Sequence, residues 1–162
     1  MKLDISINGV ARSLEVAPRT SLADLLRSPE VRCPSVHLGC EHGVCGACTV
    51  LIDGRMARSC IALAVSLDGS EVTTLEGLES DPMTLSLKAS FHRNHGLQCG
   101  FCTPAMLIAA RETLQSNPGC NADDVRLAMS GNLCRCTGYA GIVEAILDVA
   151  RGEPGTEMGA ST

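Results

Sequence analysis

The chain has 162 residues, enough for one domain or two small ones, with 13 Lys and Arg against 18 Asp and Glu and a formal net charge of −5. The basic residues form no run and the aromatic residues are limited to Phe91, Phe101 and Tyr139, which excludes a nucleic-acid binder built on a basic patch or on stacking platforms. No stretch of about 18 residues is apolar throughout, and Met1-Lys2-Leu3-Asp4 lacks the apolar run of a secretory signal, so the sequence predicts a cytoplasmic protein with no membrane insertion of its own.

The first half has β patterning. Leu3, Ile5 and Ile7 alternate with polar residues, Asn8-Gly9 offers a tight hairpin turn, and Leu14 and Val16 alternate again. Thr20 or Ser21 can cap a short helix with Leu22, Leu25 and Leu26 on one face, and Pro29 and Pro34 bracket its end. Gly39 to Gly46 is a glycine-rich loop without periodicity. Thr49 to Ile52 predicts a buried strand, Asp53-Gly54 a second hairpin, Arg55 to Cys60 the return strand, and Glu71 to Leu75 a further strand.

The period changes in the second half. Asp81-Pro82 has the form of an N-cap followed by a first-turn proline, and the cap, the length and the scarcity of β-branched residues favour a helix after it. Thr103-Pro104 opens a second helix that Pro118-Gly119 stops. Asn121 with Asp124 has the pattern of a capping box for a third, ended by Gly131, and a fourth runs to about Ala150. The composition shift near Gly77 sets a boundary between residues 1–77 and 78–152, and the small, polar segment 153–162 is predicted to be a disordered tail.

Ten cysteines are the outlying count. Without an export signal, clustered cysteines point to metal binding or redox chemistry rather than to disulfide staples. Cys40, Cys45, Cys48 and Cys60 follow C-x4-C-x2-C-x11-C, whose first three spacings are those of a plant-type 2Fe–2S ferredoxin loop. Two irons each need two thiolates, so a loop must wrap the cluster, and Gly39, Gly43 and Gly46 let the backbone approach closely. Cys60 follows the Asp53-Gly54 hairpin and can return beside that loop.

A second set joins Cys99-x2-Cys102 to Cys134-x-Cys136 across 31 residues. The first pair precedes a helix start and the second lies between two helices. Helix N-termini offer free N–H groups and a positive dipole end to an anionic cluster. A lone C-x2-C also suits zinc or a thioredoxin-like disulfide, so two zinc sites and a redox-active Cys99–Cys102 pair stay open from spacing alone. His37, His92 and His95 are taken as structural or surface residues, Cys33 as a small buried hydrophobe, and Cys120, in a turn, as exposed.

Gly39-Cys40-Glu41-His42-Gly43-Val44-Cys45-Gly46-Ala47-Cys48 resembles the first-cluster loop of the molybdenum hydroxylases of the xanthine oxidase family. Gln98-Cys99-Gly100-Phe101-Cys102-Thr103-Pro104 and Gly131-Asn132-Leu133-Cys134-Arg135-Cys136-Thr137-Gly138-Tyr139 resemble its second-cluster motifs, and the likeness covers about residues 1–150. As a separate short chain, this sequence resembles the iron–sulfur small subunit of carbon monoxide, aldehyde, nicotine and 4-hydroxybenzoyl-CoA oxidoreductases.

The resemblance implies an α+β fold: an N-terminal β-grasp, plant-type ferredoxin-like domain followed by a C-terminal four-helix bundle. It implies two 2Fe–2S clusters held by the eight cysteines of the two sets, and no catalytic residue in this chain. It implies a large partner carrying a molybdenum–pterin cofactor of the molybdopterin cytosine dinucleotide type, and a medium partner carrying FAD or replaced by a cytochrome. The assembly would be a heterotrimer or a dimer of heterotrimers. It further implies that Gln98 hydrogen-bonds the pterin and that the Cys136 backbone approaches it. Ala105 departs from the glycine many relatives have after Thr-Pro, which alters helix packing and leaves the cysteines untouched. The competing expectation is a stand-alone ferredoxin-like electron carrier.

Overall fold

The computed structural model describes residues 1–152; the predicted tail over 153–162 lies outside the described residues. The fold is α+β, with a five-stranded sheet first and a helical bundle after it. Strands β1 (Lys2–Ile7) and β2 (Val10–Glu15) form an antiparallel hairpin. Its turn residues, Asn8 and Gly9, take φ of 53° and 76°, which suits the twist of a two-residue hairpin. Strands β3 (Thr49–Ile52) and β4 (Arg55–Arg58) form the second hairpin. Strand β5 (Glu71–Thr73) then inserts between the hairpins, parallel to β1 and antiparallel to β3, giving the order β2-β1-β5-β3-β4.

The period-2 pattern of β1 puts Leu3, Ile5 and Ile7 on one buried face. Helix α1 (Leu22–Arg27) covers that face with Leu22, Ala23, Leu25 and Leu26, which makes the β-grasp core. Ser21 caps α1, its hydroxyl accepting from the Asp24 N–H at 3.1 Å.

Four helices build the bundle: α2 (Pro82–Arg93), α3 (Thr103–Ser116), α4 (Ala122–Met129) and α5 (Ala140–Ala150). Asp81 caps α2 by accepting from the Thr84 N–H at 2.8 Å, and it also pairs with Arg111 of α3 at 3.1 Å. The Asn121–Asp124 box forms in both directions at the start of α4. Leu87, Phe91, Met106, Val125, Met129, Ile142 and Ile146 fill the bundle core. Ala105 is buried within α3, where its methyl group packs without breaking the helix.

Three expectations change. The return strand ends at Arg58, and Cys60 lies on a 3-10 turn over Ser59–Ile61. At this boundary the Ser59 N–H makes a last ladder bond to the Cys48 carbonyl at 3.3 Å, and the Ser59 hydroxyl donates to the same oxygen at 2.7 Å as the chain turns. Strand β5 stops at Thr73 because Asn8 captures the Thr74 N–H at 2.8 Å and a 3-10 turn begins at Leu75. Cys120 is buried, not exposed, because the turn after Pro118-Gly119 folds it back onto the bundle core. Among the described residues no helix is long and apolar enough to cross a membrane.

Candidate metal centres

The loop from Cys40 to Cys48 curls at one end of the sheet, and Cys60 is carried to it by the turn after β4. The thiols meet in two pairs, Cys40 with Cys45 and Cys48 with Cys60. The Cys45 N–H points at Cys40 Sγ at 3.3 Å. That donor, followed by the His42 N–H, pulls the Cys40 thiol down to about 6. Burial, reinforced by the neighbouring Cys48 thiol, pushes Cys60 up to about 11. Backbone donors therefore favour thiolate on the open side of the loop, and its other side is apolar.

The second site is assembled from two separate segments. Cys102 is the residue at which α3 begins, with Cys99 just before it. Cys134 and Cys136 stand in the connection between α4 and α5. They meet as pairs again: Cys136 Sγ lies 3.6 Å from Cys99 Sγ, and Cys102 faces Cys134. Burial, then the Cys134 thiol, pushes Cys102 up to about 12. Burial also acts against the Cys134 thiolate, but the Thr137 hydroxyl, which donates to Cys134 Sγ at 3.2 Å, and nearby N–H groups outweigh it and lower this thiol. Tyr139 shapes the connection, its hydroxyl accepting from the Cys134 N–H at 2.8 Å and donating to the Asn132 carbonyl at 3.0 Å.

The donor chemistry fits two binuclear iron–sulfur clusters. Both sites offer thiol sulfur, in pairs, with N–H and O–H groups aimed at it. Among the described residues no group of three or more His, Cys, Asp or Glu side chains closes on one point as for a single ion. Gln98 lies exposed beside Cys99 at the outer edge of the second site, and its amide Nε2 donates to the Cys136 carbonyl at 3.1 Å. Cys33 belongs to the β-grasp core and Cys120 to the bundle core. The His37 ring stacks on Phe101 with centroids 4.7 Å apart, which fits a structural role.

Residues outside the predicted ligand sets join the two sites. Arg58, Thr49, Gly131, Asn132 and Leu133 link the first loop to the second connection by hydrogen bonds. Asn132 and Leu133 lie inside a motif conspicuous in the sequence, but nothing in their spacing to Arg58 announces the contact.

Residues 17–87 match a family described as a 2Fe-2S iron-sulfur cluster binding domain, and residues 74–147 match one described as a 2Fe-2S binding domain. The chain is 48% identical to the nicotine 6-hydroxylase small subunit of Paenarthrobacter nicotinovorans, over 98% of this chain and 94% of that protein. It is 45% identical to the caffeine dehydrogenase subunit gamma of Pseudomonas sp. strain CBB1, over 98% and 95% of the two chains. The crystal structure of quinoline 2-oxidoreductase from Pseudomonas putida 86 is similar in fold, with a TM-score of 0.86, 50% identity, and coverage of 93% of this chain and 92% of that one.

Proposed function

The chain belongs to the iron–sulfur small subunits of the xanthine oxidase family of molybdenum hydroxylases, and from that premise we propose that it relays single electrons between a molybdenum–pterin subunit and an FAD or cytochrome subunit. It is a non-catalytic subunit of an oxidoreductase complex. The observation that carries the relay reading is the presence of two four-thiol sites, each built of two pairs, in one compact chain.

Cys40 and Cys45 would hold one iron and Cys48 and Cys60 the other in the first site; Cys99 with Cys136 and Cys102 with Cys134 would do so in the second. A 2Fe–2S cluster, when bound, accepts and returns one electron without making or breaking bonds to substrate. The chain's own residues set the conditions for that. The Cys45 N–H and the Thr137 hydroxyl donate to ligand sulfur and stabilise added negative charge. Apolar packing around Cys48 and Cys102 excludes water. Cys99 and Cys136 are exposed, so the second site opens toward a partner, with Gln98 at its rim able to pair with a polar pterin edge.

Metal and sulfide analysis tests the assignment. Two binuclear sites predict about four iron and four acid-labile sulfides per chain. Stoichiometric zinc and a colourless protein would overturn it. Purification from the native source should bring down a large molybdenum-containing chain; a monodisperse monomer with full iron would favour a free carrier instead.

A further inference from the structure

The two sites are not merely neighbours. Arg58, the last residue of β4, donates Nη1 to Thr49 Oγ1 and Nη2 to the Gly131 carbonyl at 2.6 Å and to Asn132 Oδ1 at 3.2 Å. Asn132 is 3% exposed, and its Nδ2 lies 3.3 Å from the Gly46 carbonyl and 3.4 Å from Thr49 Oγ1. Thr49 Oγ1 in turn donates to the Gly46 carbonyl at 2.6 Å. Beside this network, the Leu133 N–H donates to the Cys45 carbonyl at 2.8 Å. Leu133 directly precedes Cys134, so one hydrogen bond and one peptide unit connect a thiol-bearing residue of each site. The backbones are as close as they can come: a Cβ on Gly46 would stand 2.9 Å from Asn132 Cα and closer still to the Gly131 carbonyl.

We propose that Arg58 and Asn132 are positioning residues, a latch that fixes the separation and orientation of the two cysteine sites and keeps the Cys45–Leu133 backbone bridge closed. This rests on the ligand assignment made above. An apolar contact would hold the sheet and bundle together as well, but it would tolerate sliding. A buried amide with its partners at fixed angles does not. The guanidinium fork suits the task because its planar donors reach three acceptors at once, one on β3 and two on the connection between α4 and α5, which a lysine head cannot do in the same geometry. Neither residue supplies a sulfur, so neither is needed to hold metal.

The test is magnetic. In the full native complex reduced with dithionite, low-temperature electron paramagnetic resonance of the parent should show each 2Fe–2S signal split by the other. Arg58→Gln and Asn132→Ser should keep the parent's iron and both signals but lose the splitting. Arg55→Met, on the same strand and outside the network, should keep it. A parent without splitting, or latch variants with full iron and unchanged splitting, would overturn the proposal. So would latch variants that lose iron from either site, because that would make the pair part of cluster assembly and not of positioning. A parent that itself lacks iron would instead overturn the ligand assignment.

Discussion

The two cysteine sites solve one problem in opposite ways. The first is local: three of its four thiols come from one nine-residue span, Cys40–Cys48, and the backbone of that span supplies donors to sulfur. The second is tertiary: Cys102 and Cys134 meet only because α3, α4 and α5 pack around a shared core. A site encoded in a loop should survive damage to distant packing, and a site encoded in helix packing should not. The thiols themselves do not follow that contrast: each site holds one lowered by hydrogen-bond donors and one raised by burial, Cys40 and Cys60 in the first, Cys134 and Cys102 in the second.

The largest expected effect separates the sites through the bundle core. Phe91 is fully buried beside the Gly96 backbone, just ahead of Cys99. Phe91→Ala should cost about 3–5 kcal/mol of bundle stability. Denaturation followed by visible absorption and by the two paramagnetic signals should show the second site lost first and the first site persisting. Simultaneous loss would erase the distinction between local and tertiary sites.

A pair of glycines sharpens the comparison next. Gly46 and Gly100 have φ of +77° and +81°, so alanine is strained at both, by about 1–2 kcal/mol. A Cβ at Gly100 meets nothing within 4 Å, whereas at Gly46 it collides with residues 131 and 132. Gly46→Ala should therefore destabilise the protein clearly more than Gly100→Ala in matched urea titrations. Equal costs would mean that the loops do not approach as described.

Asp81 offers a smaller, pH-dependent effect confined to the bundle. The Arg111 guanidinium, together with the Thr84 donors, holds its carboxyl below the ordinary range. A carboxylate with a depressed native pKa stabilises fully above its unfolded value of about 3.9, and that contribution disappears as pH falls through the native value. Asp81→Ala should cost about 1–2 kcal/mol at neutral pH. The gap from the parent should close in acid when melting temperatures are compared down the pH scale.

Thr137→Val is the subtlest change. It keeps the shape and removes the hydroxyl that donates to Cys134 Sγ and accepts from the Tyr139 N–H at 3.1 Å. Stability should fall by about 1 kcal/mol. Redox titration should move the second signal to lower potential and leave the first in place, because a donor to ligand sulfur favours the reduced state.

The same contrast governs what the sequence discloses. Both hairpin turns, the Ser21 and Asp81 caps and the Asn121–Asp124 box are local signals, and each appears where local chemistry puts it. The ends of strands are less legible: β4 gives way at Ser59 to a 3-10 turn that carries Cys60, and Asn8 capturing Thr74 shortens β5. Cys120 looks exposed beside Pro118-Gly119 because a turn signal says nothing about which side of the turn meets the core. The Arg58–Asn132 contact spans 74 positions and is fixed by how the sheet meets the bundle, which no periodicity records.

Two ligand substitutions on the reduced, assembled protein test the central claim most directly. Cys45→Ser and Cys102→Ser each remove one proposed ligand from a different site. The parent should show two distinguishable 2Fe–2S signals, the first abolished or reshaped only by Cys45→Ser and the second only by Cys102→Ser, with the remaining signal in each variant changing in nothing but its splitting. If either substitution abolished both signals in a chain that remained folded, the assignment of two separate sites would be contradicted.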